Sequence, residues 1–238
     1  MPDQRRTVGV LGGMGPQATI DLLQRIVRCT PADDDADHIR ILIDNNPAVP
    51  SRIDYIIHQR GENPAPTLVN MAQGLSEQGA DFLVMPCNTA HLYAADIASA
   101  IPIPFINMVE VTVRSVIDTN ASTRRVGLLA STAVVQTGLF KDAFQAQGID
   151  VVSPDDEYQE IIMSLIKRMK AGKQDDTDRQ CLADVASSLL NQQTDCLIIA
   201  CTELSALGAE MPQPAPMIDT AQCLAEETIK LALGSKPL

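Results

Sequence analysis

One signature occurs twice in this chain, and any fold has to account for both copies. Asp81-Phe82-Leu83-Val84-Met85-Pro86-Cys87-Asn88-Thr89 returns as Asp195-Cys196-Leu197-Ile198-Ile199-Ala200-Cys201-Thr202-Glu203. Each copy reads as an aspartate, an apolar run short enough for a buried strand, a cysteine, and polar residues suited to opening a helix. The two cysteines lie 114 residues apart. Val8-Gly9-Val10-Leu11-Gly12-Gly13 is echoed, at an offset of 118, by Val126-Gly127-Leu128-Leu129-Ala130-Ser131. The chain therefore reads as two similar halves, each offering one thiol at a strand-to-helix turn. Two thiols facing each other across a cleft suit the removal of a proton from one face of a carbon and its return to the other.

Bulk properties narrow the partners. A chain of 238 residues with 45% hydrophobic content has ample core for one large domain or two small ones. No apolar run approaches the roughly 20 residues of a membrane helix. Met1-Pro2-Asp3-Gln4-Arg5-Arg6 leads directly into the first strand, without a signal-peptide pattern, so a cytoplasmic location is expected. A net charge of −12 argues against nucleic-acid binding, which needs a basic surface. If the substrate is an anion, the site must be locally positive. The six cysteines are expected to be reduced thiols.

Strand-like runs fall at Thr7–Leu11, Ile39–Ile43, Phe82–Met85 and Pro104–Met108, then at Val126–Ala130, Val151–Val152 and Leu197–Ala200. Helix-period stretches separate them: Ala18–Arg28, Thr67–Gln78, His91–Ala100, Val135–Gln147, Glu160–Met169, Asp178–Gln193 and Ala221–Leu233. Continuous apolar strands with helices between them indicate parallel sheets covered on both faces. The expected fold is α/β: two pseudo-symmetric parallel-sheet domains flanked by helices, with the active site in the interdomain cleft. Residues 1–107 plus 212–238 would form the first domain and 108–211 the second, with boundaries near Asn107–Glu110 and Met211–Pro216.

Ligands of open parallel sheets bind beyond the carboxyl ends of the strands, where the distinctive polar residues fall. These are Gly12-Gly13-Met14-Gly15-Pro16, Asn45-Asn46-Pro47 with Arg52, Cys87-Asn88-Thr89, Ser131-Thr132 and Cys201-Thr202-Glu203. An ordinary thiol has a pKa of about 8.5, which a helix N-terminus can lower. Asn88, Thr89 and Thr202 could cap those helices or donate to thiolate or substrate. A buried cysteine can equally be packing, the reading that fits Cys29, Cys181, Cys196 and Cys223; duplication at equivalent turns favours function for Cys87 and Cys201.

Other patterns have plainer readings. Gly13-x-Gly15-x-x-Ala18 matches a relaxed dinucleotide fingerprint, but the acidic run Asp33–Asp37 precedes the second strand instead of ending it. The loop is better suited to bringing backbone N–H groups to a carboxylate. Cys87 and His91 could face one metal, yet a structural zinc needs about two more ligands, and no metal is expected. His91 could be a packing residue, Arg52 a surface arginine and Lys170 a helix C-terminal lysine beside Gly172.

The motifs Leu11-Gly12-Gly13-Met14-Gly15-Pro16, Met85-Pro86-Cys87-Asn88-Thr89-Ala90-His91 and Ala200-Cys201-Thr202-Glu203 resemble the signatures of the aspartate/glutamate racemase family, specifically its aspartate racemase branch. The resemblance spans essentially the whole chain, to Pro216-Met217-Ile218-Asp219. It implies a cofactor-independent, two-base racemisation of an acidic amino acid, aspartate first, with Cys87 and Cys201 as catalytic residues and no PLP. It implies substrate contacts from Met14, Arg52, Asn88, Thr89, Thr132, Lys170, Thr202 and Glu203, with Arg52 and Lys170 engaging carboxylates, and a homodimer. Some aspartate racemases carry an acidic residue where this chain has Ser51. Glutamate racemases typically have His after the second Cys-Thr, where this chain has Glu203. The alternatives are a glutamate or broad-specificity racemase, a maleate-isomerase-like or decarboxylase-like enzyme, or a non-enzymatic two-lobed amino-acid binding module.

Overall fold

The structure is a computed structural model that describes residues 5–173, 175–208 and 216–238. It divides into two compact units, one of residues 1–108 with 222–238, the other of residues 109–221. Of the sequence-level boundary Met211–Pro216, only Pro216 lies among the described residues.

The first unit opens with β1 (Val8–Gly12), all of it buried, and α1 (Pro16–Cys29), whose proline sits in the first turn where its missing N–H costs nothing. Then come β2 (Ile41–Asn45), α2 (Arg52–Ile56), α3 (Ala65–Glu77), β3 (Phe82–Val84) and α4 (Ala94–Ser99). The strands form a parallel sheet in the order β2-β1-β3. Beyond β3 the segment expected as a strand at Pro104–Met108 makes a single bridge, Phe105 to Leu83, held by Leu83 N–H to Pro104 O and Ile106 N–H to Leu83 O, both 2.8 Å. Pro102 and Pro104 have no N–H to extend a ladder, and Met108 already begins a helix.

That helix is α5 (Met108–Thr119), followed by β4 (Arg125–Ala130), α6 (Thr132–Gln136), α7 (Leu139–Gln145), β5 (Asp150–Val152), α8 (Asp156–Lys170), α9 (Thr177–Leu190), β6 (Cys196–Ala200), α10 (Thr202–Gly208) and β7 (Met217–Asp219). The second sheet is parallel, in the order β5-β4-β6-β7. The single helix expected over Val135–Gln147 is two helices, because the chain turns at Thr137–Gly138. Finally α11 (Thr220–Ala232) packs on the first unit: Arg25 reaches the Gln222 side chain at 3.2 Å and Arg6 the Leu231 carbonyl at 2.6 Å.

The repeat seen in the sequence is a physical repeat. A Cβ on Gly9 would stand 2.4 Å from Leu83 Cδ2 and 3.3 Å from Leu75; on Gly127 it would stand 2.6 Å from Leu197 Cδ2 and 3.1 Å from Leu189. Both glycines let the helix before the next strand settle directly on the sheet. Asp81 accepts the Thr7 N–H at 2.6 Å, and Asp195 accepts those of Arg124 and Arg125 at 2.7 and 2.9 Å. The aspartate that opens each signature thus ties its strand to the neighbouring one. Leu197 N–H bonds Pro216 O at 3.0 Å, as Leu83 N–H bonds Pro104 O, so β7 occupies in the second sheet the place of the single bridge in the first.

Side chains alternate between faces, as the period of a strand requires. In β6, Cys196, Ile198 and Ala200 join one core with α5 and α7, while Leu197, Ile199 and then Cys201 join another with α8, α9 and α10. In β3 and just beyond it, Leu83, Met85 and Cys87 share a core with Leu68, Met71 and Leu75 of α3.

Candidate active site

Each thiol ends the alternation of its central strand, on the face covered by the helix that precedes that strand. Cys87 and Cys201 are both 9% exposed. The backbone beyond each thiol is different in the two halves. After Cys201 an α-helix begins at Thr202, whereas after Cys87 the chain makes a 3-10 turn over Thr89–Tyr93 before α4. The α-helical N-terminus expected at both cysteines is present at one.

In the first unit, Gly13 takes φ +92°, and a Cβ there would lie 2.3 Å from Asn46 backbone atoms. Only glycine allows the β1 loop to meet the β2 loop so closely. The Gly13 N–H is anchored on Thr19 Oγ1 at 3.0 Å. Met14 is buried, and its carbonyl accepts from Arg52 Nη2 at 3.4 Å. Arg52 Nη1 donates to the carbonyls of Val49 and Pro50 at 3.2 and 2.9 Å, and its buried Nε has no hydrogen-bond partner. Three carbonyls thus orient the guanidinium, and among the described residues no carboxylate neutralises it. Ser51 caps α2 by accepting the Asp54 N–H at 3.1 Å, which gives the residue before Arg52 a structural role.

Asn88 is buried at the start of the 3-10 turn but does not cap it, and Thr89 is half-buried. His91 is tied down at both nitrogens: Nε2 accepts the Met108 N–H at 3.0 Å, so the proton sits on Nδ1, which donates to the Cys87 carbonyl at 2.8 Å. Burial pushes its pKa down to about 4, against the opposing pull of the Cys87 and Ile106 backbone, and the ring is neutral. With both nitrogens engaged, His91 holds the main chain of Cys87 and has no lone pair for a metal shared with it.

In the second unit, the register Ala130↔Ala200 brings Ser131-Thr132 beside Cys201-Thr202 at the ends of adjacent strands. Ser131 caps α6 through the Val134 N–H at 3.5 Å. Gln159, which sequence reasoning missed, donates to Ala130 O at 3.0 Å and Thr132 Oγ1 at 3.3 Å. Nothing in a polar first turn of α8 distinguishes such a residue from a solvated one. Cys201 Sγ–H donates to Glu203 Oε2 at 3.0 Å, Thr202 Oγ1 reaches the same oxygen at 3.5 Å, and Lys170 Nζ lies 3.6 Å from Glu203 Oε1. Burial first, then the Glu203 charge and hydrogen bond, push the Cys201 pKa well above the usual thiol range, against the pull of Lys170. The lowering expected from the helix N-terminus is outweighed by burial and, after it, by the carboxylate that sits on the thiol. Lys170 itself ends α8, whose last turn is tied to α9 by the ion pair between Arg168 and the fully buried Asp178. Cys196 points to the opposite face, and burial raises its thiol to about 11.

The Asp/Glu/Hydantoin racemase family model matches residues 11–228, from the end of β1 into α11. The chain belongs to that family. It is an amino-acid racemase, of a family that implies a PLP-independent type. Over 231 residues it is 26% identical to the broad specificity amino-acid racemase of Bacillus subtilis, covering 95% of this chain and 98% of that one. The racemase superposes on Picrophilus torridus aspartate racemase with a TM-score of 0.80 and 29% identity, covering 95% and 94% of the two chains. A glutamate racemase isoform of Bacillus anthracis shares the fold, with a TM-score of 0.62 at 18% identity and coverage of 94% and 80%. Among the described residues, no helix of the racemase is long and apolar enough to cross a membrane.

Proposed function

We propose that the racemase interconverts the enantiomers of an acidic amino acid, aspartate first, without a cofactor, using Cys87 and Cys201 as alternating base and acid. The observation that carries this reading is the equivalence of the two thiols. Each ends the same alternation on the same face of its own sheet, Leu83-Met85-Cys87 in one unit and Leu197-Ile199-Cys201 in the other. Racemisation needs a proton taken from one face of Cα and another delivered to the opposite face, which is work for two groups of one kind.

One thiolate removes the α-proton, leaving the electron pair of the C–H bond on a carbanion that delocalises into the α-carboxylate; the other thiol protonates the opposite face. The roles exchange with direction. The developing dianionic charge is what the protein must stabilise. Arg52, held by carbonyls and paired with no described carboxylate, is suited to grip a carboxylate bidentately. Lys170 supplies a more mobile positive charge. Met14, Asn88, Thr89, Thr132, Thr202 and Glu203 complete the proposed substrate contacts. The likeness to an aspartate racemase at 29% identity supports aspartate; the near full-length likeness to a broad-specificity racemase makes a wider substrate range the second reading. A cytoplasmic homodimer belongs to the same proposal, with sedimentation velocity as the test of the dimer.

The deciding experiment is optical rotation of L-aspartate and L-glutamate with purified protein in deuterated water, without added PLP. Solvent deuterium should appear at Cα of the product enantiomer, and Cys87→Ala or Cys201→Ala should each abolish net racemisation. Full racemisation by both variants would remove the paired-thiol mechanism. Rotation of glutamate alone would move the substrate.

A further inference from the structure

Cys201 is a protonated thiol at rest, and a base must lose that proton before it can take another. The structure supplies an acceptor one hydrogen bond away: Glu203 Oε2 stands 3.0 Å from Sγ. The other carboxylate oxygen lies 3.6 Å from the Lys170 ammonium. Glu203 thus stands between thiol and cation, one oxygen toward each. The lysine side chain is 48% exposed and the glutamate 17%, so the cation can leave toward a ligand while the carboxylate stays on the thiol. The first half has no counterpart, because the residue at the equivalent place, two after Cys87, is Thr89.

We propose, resting on the reading of Lys170 as a cation for a substrate carboxylate, that Lys170, Glu203 and Cys201 form a substrate-gated proton switch. An arriving carboxylate draws Lys170 away from Glu203, and Glu203 then takes the proton of Cys201. An ammonium at ion-pair distance from the carboxylate stabilises its charge more than that of a thiolate one bond further on. Withdrawing the ammonium therefore raises the proton affinity of Glu203 relative to the thiol. The S–H bond breaks and an O–H bond forms on Oε2, giving a thiolate and a neutral acid, with the summed charge of the two unchanged. The thiolate then forms a new S–H bond with the α-proton, and the C–H electron pair stays on the substrate carbon. Besides its proposed substrate contact, Glu203 acts here through Cys201, as the residue that holds and receives its proton. Until a substrate arrives the thiol stays protonated, which spares it from oxidation and alkylation.

The test isolates the two thiols. In deuterated water, Cys87→Ala leaves Cys201 to exchange the α-hydrogen of one aspartate enantiomer, and Cys201→Ala leaves Cys87 to exchange the other. Adding Glu203→Gln should slow exchange in the Cys87→Ala background by at least about tenfold more than in the Cys201→Ala background. Equal losses would overturn the relay. A second readout probes the gate itself. Succinate, a dicarboxylate that cannot be racemised, should raise the far-ultraviolet thiolate absorbance of Cys87→Ala by up to one thiolate per chain, with its binding confirmed by calorimetry. That rise should vanish with Glu203→Gln or Lys170→Met. Bound succinate without a rise in Cys87→Ala would overturn the switch, since a merely structural glutamate predicts no change in thiol ionisation. If the rise occurs in a protein that racemises no acidic amino acid, the switch stands and the proposed reaction fails.

Discussion

Arg52 shows how a single side chain can be readied for a ligand by its surroundings. The carbonyls of Met14, Val49 and Pro50 fix its fork without spending its charge. A lysine placed there keeps the charge and loses the planar fork. Arg52→Lys should therefore lower kcat for aspartate by about 10- to 100-fold, as a misplaced carboxylate would, with far-ultraviolet circular dichroism unchanged. Wild-type kinetics in this variant would remove Arg52 from the substrate contacts. His91 makes the opposite point, since it works by staying neutral. Its pKa lies near 4 when folded, against about 6.5 in an unfolded chain. Below pH 6.5 the unfolded state therefore binds the proton first, so the stability this residue contributes is full above pH 6.5 and is lost as pH falls toward 4. The displacement corresponds to about 3 kcal/mol. Urea midpoints should fall over that window in the wild type, and the fall should be shallower in His91→Gln. Parallel curves would mean that His91 does not set the acid limit.

At the level of elements, Gly9 and Gly127 carry the most exacting packing. Gly127→Ala drives a methyl into Leu197 and Leu189, and overpacking of that kind costs about 1–3 kcal/mol. Chemical denaturation should show a loss in that range, and Gly9→Ala a similar one against Leu83. A loss under about 0.5 kcal/mol at both sites would mean that the helices beneath can give way. The central strands of both halves could be read from the sequence because buried parallel strands are written as unbroken apolar runs, as in Leu197-Ile198-Ile199-Ala200. The segment at Pro104–Met108 misled for a related reason: Ile103, Phe105 and Ile106 are apolar enough for a strand, but the prolines leave too few donors for one. β7, only Met217–Asp219, was too short to stand out behind Pro212, Pro214 and Pro216. The site divides along the same line. Duplication pointed to Cys87 and Cys201 because identical residues at identical offsets are visible in one dimension. Gln159 was not visible, because its partners, Ala130 and Thr132, lie 29 and 27 residues away in sequence. Nor was the raised pKa of Cys201, which depends first on how deeply the fold buries the thiol and then on which way Glu203 turns.

Across the whole molecule, the most consequential feature is an exchange of helices. The helix after the last pairing segment of the first sheet, α5, joins the second unit from Val109 on, where Val109, Val113 and Val116 pack against Val126, Phe140 and Phe144. The helix after the last strand of the second sheet, α11, returns to the first unit from Gln222 on. Residues 1–108 expressed alone should therefore lack cooperative unfolding. A peptide spanning 220–238, supplied in trans, should restore protection from hydrogen exchange to α1, where Arg25 meets Gln222. Cooperative unfolding of 1–108 without the peptide would show that α11 is dispensable. The same exchange bears on what either half could be on its own. A chain that stops after α5 ends in a helix whose apolar partners, Val126, Phe140 and Phe144, belong to the other unit, so its exposed valines would favour association with a second copy over a stable monomer.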